Sequence, residues 1–173
     1  MAGLLDPLLQ QRTISRIRRN HGLEHATIHI LSEKHPRTSL AGHSDGGGFW
    51  LMGAVPTESV RAAVDEALRR LRGGEHRLAL HPNCGTNFVT TGSVAGLAAA
   101  SAMFGSGRRW RDQLERLPMA MTLATLALIL AQPLGFVIQE HVTTSGHPGE
   151  MEIVSIQASR RGRIRAHRVT TRG

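Results

Sequence analysis

Apolar residues recur every three or four positions between residues 13 and 34, which predicts an amphipathic helix ending at His35-Pro36. Gly22 lies inside this helix, where a glycine costs about 1 kcal/mol relative to alanine. An interior glycine indicates a close approach of another backbone segment, or space for something bound. The apolar positions that define the helix are Ile14, Ile17, Leu23, Ile28, Ile30 and Leu31.

The next segments alternate between strand and helix patterns. The second half of residues 39–55 is a short apolar run after a glycine-rich turn, and it predicts a strand. Residues 57–72 predict a helix with Thr57 or Ser59 as its N-cap. Residues 76–82 predict a second strand, so the three elements together predict a βαβ unit. The buried stripe of the predicted helix is Val60, Ala63, Val64, Ala67, Leu68 and Leu71.

Two long runs without charge follow, at residues 88–107 and 117–139. A helix that crosses a bilayer core of about 30 Å needs about 20 apolar residues. The second run meets this requirement with a kink at Pro133, and the first is rich in small residues that pack closely at membrane helix contacts. The pattern predicts a two-helix membrane hairpin. The alternative is two buried helices of a soluble bundle.

The loop between the two runs is basic, which bears on orientation. The positive-inside rule places such a loop in the cytoplasm and both termini outside. The first residues do not match a secretory signal, and a free cysteine suits a reducing compartment, so these features favour cytoplasmic termini instead. We expect a multi-pass protein of the inner membrane with its soluble part in the cytoplasm. The basic residues of the loop are Arg108, Arg109, Arg111 and Arg116.

The composition of the chain limits the classes of molecule that it is expected to bind. The formal net charge is +8 and the pI is about 11.5, which suits nucleic acid or an anionic membrane surface. Aromatic residues make up 3% of the chain, so few side chains can stack on bases, and no recognised nucleic-acid-binding motif is present. The expected partners are membrane lipids and other membrane-protein subunits. Nucleic acid is disfavoured.

The stretch "HGLEH" at residues 21–25 carries candidate metal chemistry. His21 and His25 are four residues apart, so on a helix both project from the same face and can bind one zinc ion. Glu24 completes the pattern H-x-x-E-H, in which the glutamate handles the proton of a metal-bound water. His29 continues the row but drifts by about 80° over two steps of four residues. We therefore expect His29 on the surface or behind the ligands.

The second cluster is "HPNCGTN" at residues 81–87, directly before the first uncharged run. Cys84 is the single cysteine and cannot form an intramolecular disulfide. It is either a small buried thiol or a metal ligand three residues after His81. With His21 and His25, Cys84 gives two nitrogens and one sulfur, a donor set that with water makes an open zinc site. His81 could orient a ligand or be a fourth ligand.

Residues 150–171 predict a β-hairpin with its turn at Arg161-Gly162. The expected fold class is α+β: a small βαβ-containing domain with an N-terminal metal-site helix, a two-helix membrane hairpin and a C-terminal β-hairpin. The predicted parts are an N-terminal α/β part with the metal site, a membrane hairpin, and a C-terminal hairpin with a basic tail that packs on the first part. Their bounds are 1–87, 88–140 and 141–173.

The two motifs in this order resemble those of uncharacterised bacterial families predicted to be metal-dependent membrane enzymes. In the YqhQ-type family, "HG-x-EH" precedes "HP-x-CGT", a membrane helix, an arginine-bearing loop and a last apolar helix. The chain also resembles the domain-of-unknown-function family DUF6391 through "GGGFWLMGAV" and "LALHPNCGTN". The shared pattern covers residues 20–140 and implies a metal site without implying a reaction. We expect two departures from the YqhQ-type pattern: no membrane helices before the first motif, and a glycine-rich segment between the motifs.

Three hypotheses remain. The first is a membrane-embedded zinc hydrolase, a peptidase or an amidase, in which Glu24 is the general base and zinc lowers the pKa of bound water to about 7. The second is a non-catalytic, metal-stabilised membrane assembly factor or complex subunit with a closed site of four ligands. The third and weakest is a nucleic-acid binder, suggested by the tail "RRGRIRAHR". The number of protein ligands separates the first two: His21, His25 and Cys84 for the open site, with His81 added for the closed one.

Overall fold

The structure is a computed structural model that describes residues 6–105, 107, 109–162 and 164–173. Residues 1–5 of the predicted N-terminal part, Ser106 at the end of the first uncharged run and Arg108 of the basic loop lie outside the described residues. The chain divides into two compact units, Met1–His81 with Glu140–Gly173, and Pro82–Gln139.

The first unit is a mixed α+β structure with one four-stranded antiparallel sheet. The strand order is β1-β2-β4-β3, so the C-terminal hairpin joins the sheet through the pairing of β4 with β2. The prediction of an α+β fold with a C-terminal β-hairpin is confirmed. Its elements are α1 (Asp6–Leu9), α2 (Arg12–Lys34), β1 (Ala41–Asp45), β2 (Gly48–Met52), α3 (Thr57–Arg72), β3 (Glu152–Arg161) and β4 (Ile164–Arg172).

The core of this unit lies where α2 and α3 pack on each other and on the sheet. Phe49 and Leu51 alternate along β2 and are fully buried, as the two-residue period of a strand requires. Helix α3 buries the whole stripe that its sequence predicts. Its N-cap is Pro56 without a side-chain cap, rather than Thr57 or Ser59. The fully buried leucines and valines on the helices are Leu23, Leu31, Val60, Val64 and Leu71.

The predicted strand at residues 76–82 is wrong, and with it the βαβ unit. His76–Ala79 forms a short 3-10 helix instead. The carbonyl oxygens of Ala79 and Leu80, which a strand would offer to a neighbouring strand, accept hydrogen bonds from histidine rings of α2. Because these acceptors are used by side chains, the alternating pattern of this segment does not extend the sheet.

The second unit consists of α4 (Gly85–Met103), α5 (Trp110–Leu130) and α6 (Gln132–Ile138), and α4 packs against both others. Among the described residues, α5 alone is long and apolar enough to cross a membrane, and only 6% of its most apolar 18-residue window is buried. The two-helix membrane hairpin is therefore not supported. Helix α4 falls short because small and hydroxyl-bearing residues such as Thr86, Thr90 and Thr91 give it too little apolar surface.

Candidate metal centre

Helix α2 presents His21 and His25 on one face. Their spacing of four residues places the rings one above the other, and the ring centroids are 4.3 Å apart. His25 is almost fully buried, with 3% of its surface exposed, and His21 is half-buried. The helix therefore holds two imidazoles side by side at the edge of the core.

Backbone carbonyls orient both rings. His21 Nδ1 lies 3.0 Å from the carbonyl oxygen of Thr143, and His25 Nδ1 lies 2.7 Å from that of Ala79. A carbonyl can only accept, so Nδ1–H donates in both rings, and in a neutral ring Nε2 then carries the lone pair. Metal-binding histidines typically donate their other N–H in this way, because the hydrogen bond sets the tautomer and the ring orientation.

Gly22 explains how the two carbonyl-bearing segments come so close to α2. A Cβ atom at this position would lie 2.1 Å from the carbonyl oxygen of Ser145 and 3.2 Å from Cβ of Ala79. Since real atoms do not approach to 2.1 Å, any side chain would force these segments away. The glycine therefore marks a close backbone approach, one of the two explanations that the sequence offers.

Cys84 is buried and occupies the N-cap position of α4. The ligand atoms of His21, His25 and Cys84 all lie within 4.8 Å of one another. This His/His/Cys cluster could bind a metal ion, because two imidazole nitrogens and a thiolate are ligands that transition metals accept. The sequence predicts these same three residues as ligands.

His81 lies in a second pair of rings. Its centroid is 4.7 Å from that of His29 and 5.7 Å from that of His25. Burial, and after it the charges of His29 and His25, lower the pKa of His81 to about 4, so the ring is neutral at physiological pH. His29 is half-buried and lies 2.7 Å from the carbonyl oxygen of Leu80 through Nε2.

Glu24 is buried against strand β1, with 4% of its surface exposed. The Ser44 hydroxyl donates a hydrogen bond to Glu24 Oε2, and Oε1 lies 2.1 Å from where a Cβ on Gly42 would be. Burial raises the pKa of Glu24, opposed by the Ser44 hydrogen bond and by the nearby His21 and His43. A carboxyl group in this state exchanges a proton closer to neutral pH than an exposed one.

Asn20 and Asp45 fix α2 to the sheet beside these groups. The Asn20 side chain donates to the Asp45 carbonyl at 2.8 Å and accepts from the Thr171 hydroxyl at 2.7 Å. Arg168 binds both Asp45 carboxylate oxygens, and this hydrogen bonding lowers the pKa of Asp45. Sequence reasoning does not find Ser44, Gly42 or Asn20, because no motif spacing connects them to the histidines.

Comparison with known proteins places the chain in a family. The model of the domain of unknown function DUF6391 matches residues 16–156, which include both histidine motifs. An uncharacterised protein of Picosynechococcus sp. (strain ATCC 27264 / PCC 7002 / PR-6) is 39% identical over 147 residues, covering 78% of this chain and 68% of the relative. No solved structure matches the chain. The chain belongs to the DUF6391 family.

Proposed function

We propose that the chain is a metal-dependent membrane protein that binds zinc through His21, His25 and Cys84. The observation that carries the proposal is the orientation of the two histidine rings, whose Nδ1 atoms lie 3.0 and 2.7 Å from the carbonyl oxygens of Thr143 and Ala79. The proximity of the Cys84 thiol to both rings supports a third ligand. Mixed imidazole and thiolate ligands suit zinc better than calcium or magnesium, which prefer oxygen. The motif resemblance to the YqhQ-type family also supports a metal.

We favour a hydrolase as the activity, with Glu24 as general base. His21, His25 and Cys84 would hold the zinc ion and leave it one open position, and the ion would supply a bound water of lowered pKa. The raised pKa of Glu24 and its place next to His25 in the chain support a role in proton transfer. Ser44 holds one carboxylate oxygen of Glu24 and would keep the group in place during that transfer. The structure gives no substrate, and a peptide or another amide is the proposed class.

The alternative is a non-catalytic assembly factor or complex subunit, in which His81 closes the site as fourth ligand. Its neutral ring beside His25 favours this alternative, because a neutral imidazole is the form that binds metal. The ring lies closer to His29 than to His25, which favours the open site.

We further propose that α5 inserts in the inner membrane, with the first unit in the cytoplasm. The support is the exposed apolar surface of α5, on which Met121, Leu126 and Leu130 are each at least half exposed. Trp110 and Arg111 at the start of α5, with the guanidinium 5.5 Å from the ring centroid, suit the interface with lipid headgroups. Membrane lipids, and other subunits docked in the membrane, are the proposed partners.

Metal analysis of the purified full chain tests the site. We expect about one zinc per chain in the wild type. The content should fall at least about tenfold in His25→Ala and in Cys84→Ala, and stay unchanged in His141→Ala, which removes an exposed histidine outside the cluster. Full metal content in both ligand variants would refute the proposal.

X-ray absorption on the same samples separates the two activities. One sulfur, two imidazoles and one light-atom ligand that exchanges with solvent support the hydrolase. One sulfur and three imidazoles, with the third lost in His81→Ala, support the structural alternative. Glu24→Gln should retain the metal in either case, because Glu24 is not a proposed ligand.

A further inference from the structure

A cavity of about 140 Å³ lies in the first unit, and we name it the Arg18 cavity. Its lining consists of Arg18 of α2 and of residues from two segments, 76–80 and 140–147. The volume is several times the roughly 30 Å³ of a water molecule in the liquid, so a carboxylate or phosphate group can enter. The charged and titratable residues of the lining are Arg18, His76, Arg77, Glu140 and His147.

Arg18 has no anionic partner among the residues that the structure describes. Its Nη2 donates to the carbonyl oxygens of His141 and Thr144 at 3.0 and 3.1 Å, and its buried Nε meets no hydrogen-bond acceptor in the described part of the chain. Across the part of the chain that the structure describes, no carboxylate forms an ion pair with Arg18, although Glu140 lines the same cavity. A partly desolvated guanidinium without a counter-charge is unfavourable, and an anion in the cavity would supply that charge.

A second cation also belongs to the lining of the cavity. Arg77 lines the cavity and is exposed, and no carboxylate among the described residues forms an ion pair with it. The His76 and His147 rings stack with centroids 4.0 Å apart, and His76 Nδ1–H donates to the Gly146 carbonyl at 2.7 Å. Two arginines against one glutamate give the lining an excess of positive charge before any contribution from the histidines.

The cavity shares its walls with the segments that orient the proposed metal ligands. Ala79 lines the cavity, and its carbonyl accepts from His25. Thr144 also lines it, and the preceding residue Thr143 accepts from His21. A ligand in the cavity therefore lies against the same short backbone segments as the two histidines.

We infer that the Arg18 cavity binds an oxyanion, a carboxylate or a phosphate monoester, and that this group belongs to the substrate of the metal centre. The assignment to a substrate rests on the proposed function, whereas the binding of the anion does not. Two guanidinium groups in one lining suit such anions, because each offers paired N–H donors that match two oxygens. Glu140 in the same lining opposes an anionic ligand, and the two arginines outweigh its single negative charge.

Calorimetric titration of the full-length protein tests the inference, with inorganic phosphate, acetate and dihexanoyl phosphatidic acid as probes. We expect saturable binding of at least one probe, and about tenfold weaker binding by Arg18→Gln and by Arg77→Gln. Arg61→Gln is the matched control, because it removes the same charge from an exposed position of α3 and should bind as the wild type does. Arg77→Gln guards against misfolding, since the Arg77 side chain is exposed while Arg18 also holds backbone carbonyls.

Each outcome either supports or overturns the inference that the Arg18 cavity binds an oxyanion. Binding of phosphate or acetate points to a free small molecule, and binding of phosphatidic acid alone points to a lipid headgroup; both support an oxyanion site. Absence of binding by the wild type, or equal loss in Arg61→Gln and Arg77→Gln, overturns it. Zinc content measured on the same samples keeps the two proposals apart: full zinc without anion binding refutes the cavity alone, and anion binding without zinc refutes the metal centre alone.

Discussion

At the scale of single residues, Gly22 is where a minimal change has the clearest consequence. In Gly22→Ala the new Cβ would lie 2.1 Å from the Ser145 carbonyl oxygen, so the segment that also carries the Thr143 acceptor of His21 must move. Overpacking of this kind costs about 1–3 kcal/mol of unfolding free energy. We expect that loss in denaturant unfolding of the metal-free protein, together with zinc affinity lowered about 10-fold or more.

Gly92→Ala is the control for this prediction. It is also a glycine inside a helix, but no atom of the described residues lies within 4 Å of its added Cβ, so the change should stabilise the protein by up to about 1 kcal/mol. Equal effects of the two substitutions would contradict the close approach at Gly22.

The buried Glu24 makes stability depend on pH. Its pKa in the folded protein is raised above the ordinary value of 4.5, chiefly by burial, so the folded state holds the proton more strongly than the unfolded state. The contribution of the Glu24 side chain to the free energy of unfolding is therefore fully present below about pH 4.5, and it is lost as pH rises through the pKa of Glu24 in the folded protein.

We expect the Glu24→Gln variant to lack this loss of stability at higher pH. Measured without metal, the unfolding free energy of wild type minus that of Glu24→Gln should fall as pH rises from about 4 to 8. Glu150→Gln, which changes an exposed carboxylate, should show no such trend. If this difference in unfolding free energy stays constant or rises with pH, burial does not raise the pKa of Glu24.

At the scale of elements, the sequence predicts helices well where one apolar stripe faces the core. Helix α2 was predicted at residues 13–34 and spans Arg12–Lys34, and α3 was predicted at residues 57–72 and spans Thr57–Arg72. The strand predicted at residues 76–82 is wrong for two reasons. Its alternating pattern reflects the burial of Ala79 in a 3-10 turn, and its carbonyl oxygens accept hydrogen bonds from histidines of α2. Local periodicity does not record which partner takes a backbone acceptor.

Helix α5 gives the prediction at this scale. A charged side chain near the centre of a membrane helix costs about 2.5–3.5 kcal/mol of insertion free energy, and much less near its end. We expect Leu123→Arg to lower the fraction of protein that stays with alkali-washed membranes, and Leu114→Arg, in the charged first part of α5, to leave it unchanged. Zinc content reports whether each variant still folds. Equal membrane retention of Leu123→Arg and wild type would argue against insertion of α5.

At the scale of the whole molecule, only part of the candidate site can be predicted from the sequence. A helical spacing of four places His21 beside His25, so this pair of ligands can be predicted from the motif alone. The carbonyls that orient the rings are 122 and 54 residues away along the chain, at Thr143 and Ala79. Such contacts depend on how distant segments pack, and no local pattern encodes them. The same holds for Ser44 at Glu24.

Zinc binding should be visible in the stability of the whole chain. A ligand that binds only the folded state at 100 times its Kd adds about 2.7 kcal/mol to the unfolding free energy. For a chain of this size, that raises Tm by about 5–11 °C. The rise should shrink between pH 7.5 and pH 5, because protons compete for His21, His25 and Cys84. Magnesium, which prefers oxygen ligands, should leave Tm unchanged. A zinc-induced rise of the same size in His25→Ala and Cys84→Ala would show that the stabilising ion binds elsewhere.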